Sequence, residues 1–582
     1  MTAGADGGEL LVEVLRGAGV DTAFGIVSIH NLPLVQAVQE HLRFVPVRHE
    51  AAAVSAADGY ARSRGGLGCA ITSTGTGAGN AAGSLVEALT ASTPILHVTG
   101  QIPTRYLGQG RGFIHETRDQ HAMLAAVSRR CLLVAGADTA RGTLVDAVTE
   151  ALGLPGGPVS VEWPIDLQYL VHPPSGTTGD FGSASEDGEA AVPRAADGRR
   201  LVAVAGGLQA RCVTGTEAVV DVQAVTDATE ILVSARRPAI WIGGGGRRAG
   251  RELLELVERI GAAVFTSNAG RGAIPEDHEL CVGNYATMPA GQALLDEADV
   301  LLSVGTHFRS NETATYGLRV PAAHVQIDVD PDAIGRVYPV KVGVVGEAGA
   351  VVTTIAGAVR PGAADRDWRQ RVVAAREEVR REHRAHIGAQ VVICDAIRTA
   401  LPRRGIVARD VTIPSSSWGN RLLPIYHEQD NLFAHGGGIG QGLAMGIGAA
   451  VGRPGTPAVV IVGDGGLVVH LGELYTLAQE QLPVTVVVFN DGGYGVLRNL
   501  QQAHGLPAAG VDLLAPDLEL VARSAGLAYH RVDDPATVAD VLSAAIGAGG
   551  PSLVEVDVVA IGPMTTPFVP PVEAIVPGDE PS

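Results

Sequence analysis

The chain has 582 residues, of which 46% are hydrophobic and 18% charged, a composition that supports several hydrophobic cores and argues against a wholly disordered protein. The formal net charge of −19 argues against a nucleic-acid or anionic-membrane partner, because no basic stripe is available to displace counterions. Among the 43 basic residues only Lys341 is a lysine, and its Pro-Val-Lys-Val-Gly context matches neither a P-loop nor a Schiff-base site, which argues against P-loop NTPases and pyridoxal-phosphate enzymes.

The sequence shows no secretion signal, no apolar membrane segment and no cysteine pair typical of redox or metal sites. The N-terminus has neither the positive segment nor the apolar segment of a secretion signal, and there is no charge-free apolar run of about 18 residues. The five cysteines are scattered without a Cys-x-x-Cys pair. We therefore expect a cytoplasmic protein that has no nucleic-acid or membrane partner.

Helices and short strands alternate along most of the chain. The hydrophobic pattern predicts helices at 10–18, 32–41 and 51–62, and strands at 22–25, 44–47 and 68–72. Similar alternation recurs at 237–330 and 405–559. Because such alternation is typical of a parallel sheet covered by helices, we predict an α/β fold with three doubly wound parallel-sheet domains.

The domain boundaries are predicted from composition. Residues 1–172 form the first domain, 173–200 a linker poor in apolar residues, 201–362 the middle domain, and 363–582 the third domain with a C-terminal tail. The strand-like residues 201–204 fit either the linker or the middle domain.

Residues 458–495 carry the most informative pattern. A buried strand at 458–462 precedes Gly463-Asp464-Gly465-Gly466, a helix is predicted at 467–481, and the next strand ends at Asn490-Asp491. Glycine N–H groups after a strand can approach a phosphate, and two carboxylates together with phosphate oxygens suit Mg²⁺. Two unrelated glycine-rich turns are the alternative interpretation.

Several separated motifs together resemble thiamine-diphosphate-dependent enzymes, and most of all the acetolactate synthase, benzoylformate decarboxylase and benzaldehyde lyase group. The similarity runs from residue 10 to about 563 and implies pyrimidine-binding, middle and diphosphate-binding domains in that order. The motifs that carry it are Gly-Asp-Gly at 463–465 with Asn-Asp at 490–491, Arg-His-Glu-Ala at 48–51, Thr-Gly-Thr-Gly-Ala-Gly-Asn at 74–80, and Gly-Gly-Ile-Gly at 437–440.

The resemblance implies specific roles at the cofactor. Glu50 would hydrogen-bond N1′ of the cofactor's pyrimidine and so promote removal of the C2 proton. Gly437 would offer its carbonyl to the 4′-amino group, and Ile439 would be the bulky side chain that bends the cofactor. Thr412 is placed near a phosphate, with a simple strand-end hydroxyl as the alternative.

The resemblance also implies a Mg²⁺ site formed by Asp464, Asp491 and the carbonyl of Gly493. The family more often has asparagine where this chain has Asp491, so a register shift that makes Asn490 the ligand stays open. The same two segments supply three further cofactor-binding residues, Gly465, Gly466 and Tyr494.

Histidines on segments that the family places near the reacting carbon are candidates for catalysis. His30 occupies a position where the benzaldehyde lyase pattern also has histidine, and we predict a proton-shuttling role. His115 lies where relatives often carry glutamine and could bind a substrate carboxylate or oxyanion. Residues 72–74 contain no histidine, which argues against a plain benzoylformate decarboxylase.

The predicted activity is thiamine-diphosphate- and Mg²⁺-dependent cleavage or formation of C–C bonds on a 2-oxo acid or related small carbonyl compound, by an acetolactate-synthase-like decarboxylase and carboligase. A decarboxylase or aldehyde lyase without ligation is the alternative. From other classes, a nucleotide-dependent oxidoreductase and a non-catalytic partner subunit stay open. The resemblance implies a homodimer at minimum and favours a homotetramer.

The middle domain has one nucleotide-like feature. Gly243-Gly244-Gly245-Gly246 follows a predicted strand, as in dinucleotide-binding folds, although a single match of this kind is weak. Some acetolactate synthases hold FAD in this domain. Because residues 283–286 lack a further FAD-type pattern, FAD is an alternative that we do not favour.

Overall fold

The computed structural model describes residues 5–172, 191–194, 200–204, 207–213, 221–359 and 364–571. Three six-stranded parallel sheets and one three-stranded antiparallel sheet occur in these residues. This confirms the predicted α/β class and the doubly wound sheets. No helix among the described residues combines the length and the apolar character that crossing a bilayer would need.

The first domain is a parallel sheet with strand order β2-β1-β3-β4-β6-β5. Its strands are β1 (Thr22–Gly25), β2 (Arg43–Pro46), β3 (Gly68–Thr72), β4 (Ile95–Gln101), β5 (Arg130–Leu133) and β6 (Pro158–Pro164). Its helices are α1 (Gly7–Gly17), α2 (Leu32–His41), α3 (Glu50–Arg64), α4 (Thr76–Thr90), α5 (Gln120–Val127), α6 (Ala140–Leu152) and α7 (Ile165–Gln168).

A small antiparallel sheet follows the first domain. It consists of β7 (Ala191–Arg194), β8 (Arg200–Val204) and β9 (Gly207–Val213). Residues 201–204 therefore pair in this sheet and not in the sheet of the middle domain. Residues 173–190 and 195–199 of the predicted linker lie outside the described residues, and the domain boundaries stay predictions.

The middle domain has strand order β12-β11-β10-β13-β14-β15. Its strands are β10 (Pro238–Ile242), β11 (Ala263–Thr266), β12 (Cys281–Gly283), β13 (Val300–Val304), β14 (His324–Asp328) and β15 (Val342–Val345). Its helices, with the long helix that follows them, are α8 (Val222–Ser234), α9 (Gly250–Ile260), α10 (Pro289–Glu297), α11 (Ala348–Ala358) and α12 (Trp368–Ile387).

The third domain repeats the topology of the first, with strand order β17-β16-β18-β19-β21-β20. Its strands are β16 (Ile406–Arg409), β17 (Asn431–Phe433), β18 (Ala458–Gly463), β19 (Val484–Asn490), β20 (Ala528–Val532) and β21 (Ser552–Asp557). Its helices are α13 (Val391–Ala400), α14 (Gln441–Gly452), α15 (Asp464–Val469), α16 (Glu473–Gln479), α17 (Gly495–Ala503), α18 (Leu518–Ala525), α19 (Val538–Gly547) and α20 (Val558–Ile561).

The topology determines where a ligand site can form. In open α/β sheets, ligands bind outside the carboxyl ends of the strands where the strand order reverses. In the third domain this point lies between β16 and β18, and Thr412 and Asp464 follow those two strands. Asp491 follows the neighbouring strand β19. The fold therefore collects the predicted phosphate and metal residues at one edge of one sheet.

The helix predicted at 467–481 is wrong in both its start and its continuity. Helix α15 begins at Asp464, so Gly465 and Gly466 belong to its first turn and not to a separate turn. A second helix, α16, begins at Glu473. The break lies at His470, whose ring Nδ1 lies 2.7 Å from the carbonyl oxygen of Gly440 and so ties this point to another loop.

The first and third domains share one hydrophobic core, built around helices α3 and α14. Glycines allow the two helix backbones to touch. A Cβ on Gly448 would overlap the carbonyl oxygen of Ala56, and a Cβ on Gly59 would overlap that of Met445. This close approach positions the start of α3, where Glu50 lies, relative to the third domain.

We expect Gly448→Ala to destabilise the protein by about 3 kcal/mol or more, because the new methyl group meets backbone atoms that cannot move aside. Thermal unfolding of the variant should begin well below that of the unmodified chain. Gly357→Ala, in helix α11, is the matched control, since a Cβ there meets nothing within 4 Å. Helix propensity predicts that this variant has a free energy of unfolding up to ~1 kcal/mol higher than the unmodified chain. Equal melting temperatures for the two variants would contradict the contact.

Candidate functional site

Two aspartates lie together at the carboxyl edge of the third sheet. The backbone N–H of Asp491 donates to Asp464 Oδ1 at 3.3 Å. Burial raises the pKa of Asp464. Burial, followed by the negative charge of Asp464, raises the pKa of Asp491 to about 6. Two partly desolvated carboxylates that repel each other are stabilised by a cation between them.

The side chain of Asp491 has free capacity for a cation. Its Oδ1 atom is buried and accepts no hydrogen bond from any residue that the structure describes, while the guanidinium of Arg498 lies 3.9 Å away. The neighbouring Asn490 is already engaged, because its Nδ2 donates to Glu555 Oε1 at 2.9 Å and its Oδ1 accepts from Gly492. The residues present fit a Mg²⁺ ion, and the contacts favour Asp491 over Asn490 as its ligand.

Two glycines at the carboxyl edge of the third sheet allow the polar side chains of the predicted site to approach the backbone closely. A Cβ on Gly463 would lie 3.1 Å from the hydroxyl oxygen of Thr412, so that hydroxyl faces the start of α15. A Cβ on Gly465 would lie 2.8 Å from the ring of Tyr494 and 3.1 Å from the carbonyl oxygen of Gly493. The structure thus brings the predicted cofactor-binding residues of these segments together.

A buried carboxylate that the sequence analysis missed organises the glycine-rich loop before α14. Asp410 follows strand β16 and accepts from the backbone N–H groups of Gly440 at 3.0 Å and Gly442 at 2.8 Å. A Cβ on Gly466 would lie 3.1 Å from its Oδ1. Burial raises the pKa of Asp410 to about 6. Its position at the carboxyl end of a strand beside the reversal point was the signal that could have found it.

A second missed carboxylate holds the same loop from the first domain. Glu87, on helix α4, is only 7% exposed. Its two carboxylate oxygens accept from the N–H groups of Gly436 and Gly438, each at 2.6 Å. These bonds flank Gly437, which has a left-handed φ of +88°. Glu87 therefore fixes the backbone whose carbonyl is predicted to contact the cofactor, and the half-buried Ile439 follows in the same loop.

We expect Glu87→Ala to weaken thiamine diphosphate binding by about 100-fold or more, because it removes two hydrogen bonds to a charged group, each of which contributes about 1.5–3 kcal/mol. Glu87→Gln keeps one acceptor oxygen, so its affinity for the cofactor should lie between that of the unmodified enzyme and that of Glu87→Ala. Titration of intrinsic fluorescence with the cofactor measures the effect. Gly83→Ala, on the same helix with open space around its Cβ, is the control and should bind normally. Unchanged affinity in Glu87→Ala would show that the loop holds its shape without Glu87.

Glu50 is the first residue of helix α3 and is half-buried. The amide Nδ2 of Asn80 donates to Glu50 Oε2 at 3.0 Å, which leaves Oε1 available. A Cβ on Gly77 would lie 3.0 Å from Oε1, so the loop approaches this carboxylate closely only because residue 77 is glycine. Asn80 lies within the segment 74–80 that the sequence analysis singled out, although its contact with Glu50 was not predicted.

His115 contacts the same loop at Gly75, and His30 lies beside His115. Their ring centroids are 5.2 Å apart in an edge-to-face arrangement. Neither ring nitrogen of His30, nor Nδ1 of His115, has a hydrogen-bond partner in the described part of the chain. Burial, and then the nearby His115, lowers the pKa of His30. The backbone of Ile114 opposes this shift, and the net lowering of the pKa favours the neutral imidazole of His30.

The predicted residues form two local groups in this single chain. Glu50 and His115 contact the loop at 73–77 of the first domain, with His30 next to His115, while Asp464, Asp491 and Thr412 lie at the edge of the third sheet. No hydrogen bond or ion pair among the described residues joins Glu50 to either aspartate. The segments that carry the two groups do meet: the rings of His49 and His470 have centroids 5.4 Å apart, and the backbone N–H of Arg48 donates to Glu473 Oε1 at 2.8 Å.

A cavity of about 900 Å³ opens at the reversal point of the middle sheet. The glycine run after β10 lines it together with Arg247 and Arg248, and residues 434–437 of the third domain close one side. The glycine run thus lies where the dinucleotide-like pattern placed it. Binding of FAD or another nucleotide here is untested and stays an alternative.

Models of one enzyme family match all three domains. The N-terminal TPP binding domain of thiamine pyrophosphate enzymes matches residues 5–123, their central domain residues 225–355, and their C-terminal TPP binding domain residues 414–556. The chain belongs to the thiamine pyrophosphate enzyme family. The predicted family is confirmed, and the chain is a thiamine-diphosphate-dependent enzyme of the carboligase and lyase group.

Individual relatives agree with this assignment. A probable 2-ketoarginine decarboxylase of Pseudomonas aeruginosa is 31% identical over 552 residues, which cover 94% of this chain and 93% of the relative. The large subunit of acetolactate synthase isozyme 2 of Escherichia coli is 26% identical and covers 97% of this chain and 98% of its own. The solved 4-hydroxybenzoylformate decarboxylase of Rhodococcus jostii has a TM-score of 0.75 at 22% identity, covers 95% of this chain and 98% of its own, and so shares the fold.

Proposed function

We propose that this enzyme decarboxylates a 2-oxo acid with thiamine diphosphate and Mg²⁺, and then joins the remaining acyl unit to a second carbonyl compound, as acetolactate synthases do. The observation that carries the proposal is the pair His30 and His115, whose rings pack against each other beside the loop in which Gly77 approaches Glu50. The likeness to acetolactate synthases and to a 2-oxo acid decarboxylase supports the substrate class.

Thiamine diphosphate, when bound, supplies the electron sink that stabilises a carbanion next to a former carbonyl carbon. Glu50 would hold or release a proton at the pyrimidine nitrogen, and Asn80, which donates to Glu50 Oε2, would orient the carboxylate. Asp464, Asp491 and the carbonyl of Gly493 would hold Mg²⁺. Glu87 and Asp410 keep the loop of Gly437 in shape.

The free histidines provide the remaining proton transfers. His30 is buried and its pKa is lowered, so it can accept a proton from a substrate hydroxyl near neutral pH and return it later. His115 lies beside it and offers Nδ1 to a substrate carboxylate or oxyanion.

Decarboxylation without ligation is the second candidate function. The relative at 31% identity is a probable 2-ketoarginine decarboxylase, which favours release of the product after protonation of the carbanion. The two candidates differ only in what captures the carbanion, namely a proton or an acceptor carbonyl. They share the same residues at the cofactor.

A substrate panel tests both functions. Pyruvate, 2-oxobutyrate, an aromatic 2-oxo acid and a guanidinium-bearing 2-oxo acid are each incubated with the enzyme, thiamine diphosphate and Mg²⁺. CO₂ release is measured with and without aldehyde and 2-oxo acid acceptors, and the products are identified by mass spectrometry. A ligated product supports the proposal, and aldehyde as the sole product supports the second candidate. No CO₂ from any acid would refute both.

We also propose that the enzyme assembles at least as a homodimer, with a homotetramer as the favoured form, and that it acts in the cytoplasm. Apolar side chains close to the site residues support assembly: Ile29 next to His30 is 55% exposed, and Val468 and Val469 at the end of α15 are each nearly half exposed. A partner subunit would cover such surface. Light scattering after gel filtration measures the mass, and a monomer with full activity would contradict the proposal.

A further inference from the structure

A cluster of potential metal ligands lies in the first domain, apart from the predicted diphosphate site. His121 of α5, Cys131 of β5 and Glu162 of β6 each offer one ligand atom, and these atoms all lie within 4.8 Å of one another. Ring nitrogen Nδ1 of His121 lies 2.7 Å from Glu162 Oε2, and Cys131 Sγ lies 3.8 Å from the same oxygen. We propose that these three side chains bind a zinc-class divalent transition metal.

The ligand types and their spacing suit such a metal. Imidazole nitrogen, cysteine sulfur and carboxylate oxygen are the three protein ligands of zinc, with bonds of about 2.0–2.3 Å. Ligand atoms around a tetrahedral zinc are therefore separated by roughly 3.5 Å, so the cluster needs only a small opening at the His121–Glu162 contact. As the metal–sulfur bond forms, the Cys131 thiol proton leaves to solvent.

The charge balance of the cluster also favours a cation. Glu162 is only 2% exposed, and no arginine or lysine of the described residues forms an ion pair with it. Its ionic partner is His121, whose side chain is 52% exposed and is charged only when protonated. A divalent ion would compensate the buried carboxylate and the thiolate together.

The surroundings of Glu162 resemble the outer hydrogen bonds that orient ligands at metal sites. Its other oxygen, Oε1, accepts from the amide Nε2 of Gln101 at 2.9 Å and of Gln120 at 3.0 Å. Both glutamines are buried, so Oε1 is held and Oε2 is directed at His121 and Cys131. The half-exposed His121 provides an entry path from solvent, and the fourth metal position would take water.

Both glutamines connect the site to the catalytic loop, and the hydroxyl of Thr74 donates to Gln101 Oε1 at 3.3 Å. Gln120 Oε1 accepts from the hydroxyl of Thr74 at 2.8 Å and from the N–H of Gly75 at 2.7 Å. Those residues begin the loop that approaches Glu50 and His115. A metal on Glu162 would therefore stiffen the segment beside the reacting centre, and the proposal does not depend on which substrate is used.

Cobalt(II) is the probe that separates this site from the diphosphate site. Full-length protein is stripped with chelator, saturated with Mg²⁺ and thiamine diphosphate, and titrated with Co²⁺. We expect a near-ultraviolet sulfur-to-cobalt charge-transfer band in the unmodified enzyme and in Asp464→Ala. The band should disappear in Cys131→Ser and persist in Cys69→Ser, because Cys69 is buried in β3 outside the cluster.

A second variant tests the site independently of any folding defect in Cys131→Ser. His121 is exposed, so His121→Ala should fold normally by circular dichroism and bind Co²⁺ at least about 10-fold more weakly. Zn²⁺ should raise the melting temperature of the unmodified enzyme and leave that of His121→Ala unchanged. Two results would overturn the proposed site: the absence of a charge-transfer band in the unmodified enzyme, or a full band in Cys131→Ser.

Discussion

Glu50→Gln should retain thiamine diphosphate binding and lose most of the enzyme's ability to exchange the C2 proton of the cofactor. Glutamine keeps the size of the side chain and an acceptor for the Asn80 amide, but it cannot hold or release the proton at the pyrimidine nitrogen. General acid–base catalysis contributes about 10²- to 10⁴-fold, so we expect exchange to slow by that factor. Hydrogen–deuterium exchange at C2, followed by NMR after acid quench, measures it.

The matched control is Glu40→Gln, which makes the same chemical change on helix α2, where Glu40 is exposed and accepts from Gln36. It should exchange at the normal rate. Asn80→Ala should show an intermediate loss, because Glu50 keeps its proton chemistry but loses its orienting partner. Normal exchange in Glu50→Gln would refute the role of Glu50, and loss of cofactor binding in that variant would indicate a structural role.

The fold could be predicted well because its signals are local. The strands at 22–25 and 68–72 have the predicted bounds, since short β-branched or apolar runs between turn residues define them. The break after α15 could not be predicted. It depends on the ring of His470, which meets the carbonyl of a loop 30 residues away in sequence. Local propensity at 467–481 favours one continuous helix, and this tertiary contact overrides it.

The site residues likewise include some that the sequence predicts and some that it does not. Asp464 and Asp491 were found because each follows a buried strand within a glycine-rich turn, a pattern visible in the sequence. Glu87 was not found, because on helix α4 it is one of 62 acidic residues and its partners lie about 350 positions later. Glu50 and His30 were found only through the family resemblance. Nothing in their local sequence distinguishes them from other helix-end or loop residues.

Substitutions of Asp464 and Asp491, the predicted metal ligands, should strongly weaken Mg²⁺-dependent cofactor binding. Asp464→Ala removes one of the two carboxylates and should weaken Mg²⁺-dependent cofactor binding by about 100-fold or more, since even outer-shell changes at metal sites cost about 10- to 100-fold. Asp491→Ala should show a similar loss. Asp491→Asn keeps an oxygen ligand and should lose about 10-fold or less.

Asn490→Ala decides the register, because the two alternatives predict opposite outcomes. With Asp491 as the ligand, the variant loses only the hydrogen bonds to Glu555 and Gly492 and should bind Mg²⁺ nearly normally. With Asn490 as the ligand, it would fail as severely as Asp464→Ala, and Asp491→Ala would be mild. Electron paramagnetic resonance of Mn²⁺ gives the metal affinity directly and keeps it separate from turnover. The free Oδ1 of Asp491 leads us to expect the first outcome.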